Sequence, residues 1–253
     1  MDVVDVCAGA AGGWSLGLHR AGMTTRAAIE SEAWRRELYA MNNPGVKLYG
    51  DLRTVTGDQL RADGVRCDLL AGSPPCKEYS GIGSGGGLDA DDLFIHAVRL
   101  AGELRPRWCA FENSHFVKER GYDRIASALE ALNYQVWPIV VGARAFGSRH
   151  DRPRAVILAA DLSRPQGRPA RQPRPDRYVG DGPTEPPRLA PRVDCGSLGP
   201  GGSASLSRHL REYDGVPAGV AEAAREAYGD AVLPQLTEAV GRAIIAAEAA
   251  LCL

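Results

Sequence analysis

The sequence lacks any Cys-x-x-Cys pair and any histidine cluster beside its cysteines, although six cysteines are scattered at 7, 67, 76, 109, 195 and 252. That spacing argues against a zinc site, and in a chain of 253 residues it argues against a disulfide framework. Reduced thiols in a cytoplasmic compartment are the expectation. No apolar run reaches the ~18 residues that a membrane helix needs, so no membrane is expected as a partner. Met1-Asp2-Val3-Val4-Asp5 carries acids where a signal peptide carries bases. An excess of one charge is also missing: the formal net charge is -1, and no global basic field announces a nucleic acid. Internal repeats are absent. What remains is an ordinary globular profile, 44% hydrophobic and 24% charged, long enough for one large domain or one domain plus a small one.

The order of short apolar runs is informative. Val3 to Cys7 reads as a buried strand, followed at once by Ala8-Gly9-Ala10-Ala11-Gly12-Gly13 and then by a helical pattern from Trp14 to Ala21. Strand, small-residue turn and helix open a nucleotide-binding α/β fold, in which glycines let a ligand approach the backbone near free helix N–H groups. Thr24 to Ile29 reads as a second strand ending in Glu30, and Val46 to Tyr49 as a third with Asp51 at its end. Acids at those strand ends line the edge where such sheets bind ligands. Ala33 to Met41 reads as the intervening helix.

The fourth run, Cys67 to Ala71, leads into Gly72-Ser73-Pro74-Pro75-Cys76 and then a glycine-rich stretch, Gly81 to Gly87. A strand ending in a rigid double proline presents a cysteine at a sheet edge, and the glycine run suits a loop that closes over a ligand. Asp91 to Leu104 and Tyr122 to Leu132 read as helices. Between them, Arg107 to Phe111 is a fifth strand ending in Glu112-Asn113. Gln135 to Val141 and Ala155 to Ala160 are two more strands, expected to pair antiparallel. If the sheet is parallel, Cys76 and Glu112 sit side by side near Arg152 and Arg154. A thiolate attacks an electron-poor carbon, a carboxylic acid hydrogen-bonds a ring nitrogen, and arginines hold a carbonyl oxygen.

Composition shifts after Asp161 toward Pro, Arg and Gly. From 144 to 192 there are eleven Arg and no Lys against Asp151, Asp161, Asp176, Asp181 and Glu185, a local excess of six positive charges. An Arg-rich irregular stretch suits a phosphate backbone. Val216 to Ala227 reads as a helix, Tyr228 to Pro234 as a turn, and Gln235 to Leu251 as a long amphipathic helix.

Taken in order, these stretches resemble the cytosine-C5 DNA methyltransferases, which use S-adenosylmethionine. Ala8 to Gly13 with Trp14-Ser15-Leu16-Gly17-Leu18 resembles their first cofactor motif. Glu30 matches the ribose-binding acid, and Gly50-Asp51-Leu52 the motif whose Asp reaches the adenine amino group. Pro75-Cys76 with Tyr79-Ser80 is similar to the nucleophile motif, and Glu112-Asn113 to the Glu-Asn motif. His150, Arg152 and Arg154 fall where the family has Gln-x-Arg-x-Arg, and Gly229-Asp230-Ala231-Val232 resembles the late Gly-Asn-x-Val. The resemblance implies an α/β fold, a doubly wound and mostly parallel Rossmann-like methyltransferase sheet, with a small irregular second domain. Residues 1–160 plus 226–253 would form the cofactor-binding catalytic domain and 161–225 a short target-recognition region.

The same resemblance implies the site residues. Cys76, Glu112, Arg152 and Arg154 would be catalytic, with Cys76 adding to C6 of a cytosine. Ala8, Gly9, Ala10, Gly12 and Gly13 would cradle the cofactor, Glu30 its ribose, and Ser31 and Asp51 its adenine. Leu52, Pro75 and Leu93 would be further cofactor contacts. The implied partner is duplex DNA with a flipped cytosine, as in phage or restriction–modification enzymes. RNA, a free cytosine nucleotide and an inactive nucleic-acid-binding relative are the alternatives. The departures are one extra small residue in the glycine turn, Ser31 in place of an aromatic, Lys77 after the cysteine, Ser114, His150 and Asp230.

Overall fold

The computed structural model describes residues 1–75, 92–117, 121–146, 152–161, 163 and 231–251. They belong to one unit, Met1–Ala170 with Ala231–Leu253. The other unit, Arg171–Asp230, lies outside the described residues, and with it the helix expected at Val216 to Ala227 and nearly all of the recognition region expected at 161–225.

Seven strands form one sheet: β1 (Asp2–Val6), β2 (Thr24–Ile29), β3 (Lys47–Tyr49), β4 (Leu69–Gly72), β5 (Trp108–Ser114), β6 (Gln135–Val141) and β7 (Arg154–Ala160). Their spatial order is β3-β2-β1-β4-β5-β7-β6. The first five pair in parallel, and β7 runs antiparallel to both β5 and β6. The chain adds β2 and β3 on one side of β1, then returns to add β4 and β5 on the other. The carboxyl ends of β1 and β4 therefore flank a topological switch point, where an open α/β sheet leaves a crevice for a ligand.

Parallel strands with helices on both faces need apolar residues at nearly every position. Alternate residues then enter two separate cores. Val4, Val6, Leu70, Cys109 and Phe111 pack with Leu60, Phe94, Leu100 and Leu129, from α3 (Gly57–Ala62), α4 (Leu93–Leu104) and α5 (Tyr122–Glu130). Val3, Leu69, Ala71, Trp108 and Ala110 pack with Trp14, Leu18, Leu236 and Val240, from α1 (Gly13–Arg20) and α6 (Pro234–Leu251). By the same alternation, Asp5 and Glu112 lie on the second face.

The strands stand where the apolar runs predict them, and the last two form the expected antiparallel arrangement. The differences are local. The fifth strand extends through Ser114, because β7 pairs with its last residues, Glu112 with Val156 and Ser114 with Arg154. The helix α3 was not expected. It is six residues long and buries only Gly57 and Leu60, too little to show a periodicity. Its start is held by caps: Thr56 Oγ1 accepts from the Gln59 N–H at 3.2 Å, and Glu103 accepts from the Gly57 N–H at 2.6 Å. Among the described residues no helix is long and apolar enough to cross a membrane, and no cluster of His, Cys, Asp or Glu is placed to hold a metal.

The helix α6 returns from the far end of the chain to lie against α1. The Thr237 hydroxyl donates to the Gly13 carbonyl at 2.8 Å. A Cβ added at Gly17 would fall on the Thr237 Oγ1 and on the backbone of Pro234 and Glu238, so only glycine allows this approach. Gly17→Ala is expected to destabilise the fold by about 1–3 kcal/mol, the usual cost of overpacking, read as a lower urea midpoint at unchanged m-value. An unchanged midpoint would show that α6 does not dock on α1 as described.

Candidate functional site

The crevice edge is built from the turns after β1, β2 and β3. Cys7, the first residue past β1, has φ 53°, and Gly9 has φ +64°. A Cβ placed on Gly9 would meet nothing within 4 Å, so the space beside this backbone is open. Glu30, buried at the end of β2, accepts the Gly9 N–H on Oε2 at 2.9 Å and the Glu32 N–H on Oε1 at 3.0 Å. The Arg36 guanidinium, on α2 (Ala33–Asn42), holds the carbonyls of Glu30 and Ser31 at 2.7 and 2.5 Å. Asp51, just past β3, accepts from Arg53 Nε and Nη2 at 2.9 and 2.6 Å. The hydrogen bonds from Arg53 hold its carboxyl below the ordinary value.

This set of acceptors suits a ligand that offers hydroxyl and amino donors, as a nucleoside does. Each Glu30 oxygen takes one backbone N–H and keeps lone-pair capacity for a hydroxyl. Asp51 supplies an acceptor for an amino group, and Gly9 presents open backbone between β1 and Glu30. The other residues expected at the cofactor site take varied positions. Ala10 and Gly13 are buried, Ala8 and Gly12 line the same turn, and Ser31 and Pro75 are exposed. Leu52 is buried in the core beside Val55 and Phe94. Leu93 opens α4, whose N-cap Asp92 accepts the Phe94 N–H at 2.9 Å.

Next along the edge, the Gly72↔Phe111 register sets Ser73 beside Glu112. Glu112 is 5% exposed. Arg154 Nε forms an ion pair with its Oε1 at 2.8 Å. Burial pushes the Glu112 carboxyl up, while Arg154, Ser73 and Arg152 oppose that rise. The geometry for Arg154 follows from β7. Val156 sits directly opposite Glu112, and Arg154, two residues earlier, shares its face. Arg152 lies just before β7, donating to the Ala231 carbonyl at 3.5 Å. The two arginines line a small cleft with Val141, Phe146 and Leu233.

The sequence-predicted Glu112, Arg152 and Arg154 are thus brought together at one edge. Cys76, Lys77, the Gly81 to Gly87 loop, His150 and Asp230 lie outside the described residues. The described approach to Cys76 runs through Pro74 and Pro75, and the Pro74 carbonyl accepts from Asn113 Nδ2 at 2.9 Å. Asn113, Ser73 and Trp14 carry polar contacts at this edge that the sequence reading did not assign. One signal for Trp14 was available: a buried indole N–H needs an acceptor, and here it donates to Ser73 Oγ at 3.0 Å.

Beneath the glycine turn, Asp5 is fully buried. The Ser15 hydroxyl, in the first turn of α1, donates to Asp5 Oδ2 at 2.7 Å and receives the Tyr39 hydroxyl from α2. Oδ1 has no hydrogen-bond partner among the described residues. Burial pushes this carboxyl up to about 7, with the nearby Glu30 adding to the rise and Ser15 opposing it. Burial also raises the Cys7 thiol far above its ordinary value, which leaves it a neutral neighbour of the turn.

A mostly parallel α/β sheet with a switch-point crevice, a buried acid at the end of β2 and a buried carboxyl–arginine pair defines the class to which open, ligand-binding α/β proteins belong. The comparisons narrow it. The family model described as C-5 cytosine-specific DNA methylase matches residues 1–179, and the chain belongs to that family. The Type II methyltransferase M.NgoMIV of Neisseria gonorrhoeae is 34% identical over 163 residues, covering 62% of this chain and 50% of that protein. M.DdeI of Desulfomicrobium norvegicum, also a Type II methyltransferase, is 30% identical over 174 residues, covering 65% and 42%. Among solved structures, a putative DNA modification methyltransferase encoded within an E. coli prophage aligns with a TM-score of 0.55 at 26% identity, covering 64% of this chain and 47% of that one. The chain therefore spans about half the length of the curated relatives it matches.

Asp5 makes a stability test of this edge. The folded chain retains a proton there up to about pH 7, whereas the unfolded chain releases it near 3.8. Between those values the folded state binds the extra proton, so stability falls as the pH rises through that window and levels off above it. Asp5→Asn removes this dependence. Relative to the variant, the wild type is expected to lose a few kcal/mol between pH 4 and pH 8, measured by urea unfolding at several pH values. A pH-independent difference would show that Asp5 is ionised in the folded chain.

Proposed function

We propose that this protein transfers a methyl group from S-adenosylmethionine to C5 of a cytosine in DNA. The observation that carries the reading is the buried Glu112 carboxyl, clamped by Arg154 at the same sheet edge as Glu30 and Asp51. Support also comes from the family, described as C-5 cytosine-specific DNA methylase, and from relatives named Type II methyltransferases.

Cytosine C5 is not nucleophilic enough on its own. In the proposed reaction the Cys76 thiolate adds to C6, pushing electron density toward N3 and C5. Glu112, whose carboxyl burial pushes up, hydrogen-bonds N3 in its protonated form and neutralises the charge that develops there. The Arg154 guanidinium pairs with Glu112 through Nε, and its planar set of N–H donors suits the O2 oxygen of the base. S-adenosylmethionine supplies an electrophilic methyl group, which the activated C5 accepts. A base then removes the C5 proton, the C6–S bond breaks, and Cys76 leaves as thiolate. A cytosine stacked in a duplex is out of reach of such an edge, so the target is flipped out. The closing loop assigned to Gly81–Gly87 and the recognition role of 161–225, with its Arg excess, belong to this proposal too.

The test is incubation with methyl-labelled S-adenosylmethionine and separate pools of duplex DNA, tRNA and cytidine nucleotides. Label is expected in duplex DNA, with Cys76→Ser reducing transfer at least ~10³-fold, as loss of a covalent nucleophile does, while cofactor affinity stays within twofold. Label confined to tRNA or to nucleotides would replace the substrate, and transfer persisting in Cys76→Ser would overturn the nucleophile.

A further inference from the structure

Glu30 stands at the corner where β2 ends and α2 begins, and its backbone is held as firmly as its side chain. Its N–H donates to the Tyr49 carbonyl of β3 at 3.1 Å. Its carboxyl accepts the Gly9 N–H at 2.9 Å and the Glu32 N–H at 3.0 Å. Its carbonyl and that of Ser31 both accept from Arg36 Nη1, at 2.7 and 2.5 Å. That nitrogen carries two N–H bonds, one for each carbonyl. Two successive carbonyls turned toward one nitrogen fix the two peptide planes that follow Glu30, and with them the path of the chain around the corner.

Arg36 breaks a local rule to be there. A cation near the start of a helix opposes the macrodipole, yet α2 opens with Arg35 and Arg36 and has no acid in its first turn. Its N-cap Glu32 makes no side-chain cap hydrogen bond either. A departure of this kind marks a place where a site sets the residue and helix stability does not. The point of attachment matters as well. An arginine on the Glu30 carboxyl would compete with a ligand hydroxyl for its lone pairs. Through the carbonyl, Arg36 holds the residue and leaves that capacity for a ligand.

We propose that Arg36 is a positioning residue for Glu30: by binding the two carbonyls of the β2–α2 corner, it sets the Glu30 carboxyl in the geometry that grips the two hydroxyls of a ribose. This inference rests on the reading of Glu30 as the ribose-binding acid of the cofactor site. Gly9 fixes the carboxyl from the β1 side, and Arg36 fixes the chain that carries it from the α2 side. With one side released, the corner can shift while the strand beneath it stays paired with β1 and β3. A shift of about an ångström is enough to spoil a two-hydroxyl grip.

The experiment is calorimetry on the full chain with two ligands, S-adenosylhomocysteine and its 2′,3′-dideoxy analogue. The ratio of their dissociation constants reports the diol alone, because a general loosening of the fold weakens both ligands together. The wild type is expected to prefer the diol at least ~10-fold, the worth of a hydroxyl given to a charged acceptor. In Arg36→Met, which keeps the stem and removes the donors, the ratio is expected to fall to about threefold or less. Equal ratios in wild type and Arg36→Met would overturn the proposal and reduce Arg36 to a surface residue of α2. If Arg36→Met does not fold, Arg36→Lys carries the test. Its ammonium, a point charge on a shorter stem, falls short of spanning both carbonyls, so a ratio equal to wild type would overturn the proposal in the same way. A wild type without diol preference, or a preference undiminished in Glu30→Gln, would remove the ribose reading of Glu30 and the proposal with it.

Discussion

A carboxyl group that is 5% exposed must either give up its charge or be matched by another, because burying an unpaired charge costs far more than a fold can spare. Glu112 satisfies both demands in part, and the layout of the sheet follows from how it does so. The parallel strands β4 and β5 bring Ser73 to one side. The reversed strand β7 brings Arg154 to the other. Were β7 parallel like its neighbours, the arginine that precedes its apolar run would emerge at the amino-terminal edge, away from the crevice. The one antiparallel strand inside the order is what delivers a cation to the carboxyl end.

The same edge carries the two acids to which cofactor binding is proposed, Glu30 and Asp51, each already held by hydrogen bonds. Glu30 is fixed by two backbone N–H groups and Asp51 by Arg53. Preset acceptors of this kind lower the ordering cost of binding. Below them, the Tyr39–Ser15–Asp5 chain links α2, α1 and β1 under the glycine turn, so the turn rests on a buried polar support instead of on apolar packing alone.

Much of this was legible in the sequence for a physical reason. Strands buried on both faces must be apolar throughout, so Val3 to Cys7 and Arg107 to Phe111 stand out, and Glu30 and Glu112, which follow the second and fifth strands, mark the edge. The apolar run 155–160 exposed β7, although the pairing that extends β5 to Ser114 is not written in either segment. The six-residue α3 left no trace, because its stability comes from Thr56 and Glu103 and not from a repeating face. The Trp14–Ser73 contact joins residues 59 apart. Trp14 read as one more apolar position of a helix and Ser73 as part of a turn, and only the sheet order makes them neighbours. Cys76 was singled out by its double proline and by the family pattern, and lies outside the described residues; the structure describes the strand and prolines that lead to it, up to Pro75.

The central claim is that Cys76, which follows β4 in the sequence, becomes bonded to a carbon of a cytosine whose ring meets Glu112. The most direct measurement is mass spectrometry of the protein incubated with S-adenosylmethionine and duplex DNA in which cytosine is replaced by 5-fluorocytosine. Fluorine cannot leave as a proton does, so the account predicts a covalent protein–DNA adduct, one methyl group heavier than the sum of the two, mapping to the peptide that contains Cys76. An adduct that maps to another residue, or that persists in Cys76→Ala, would contradict it.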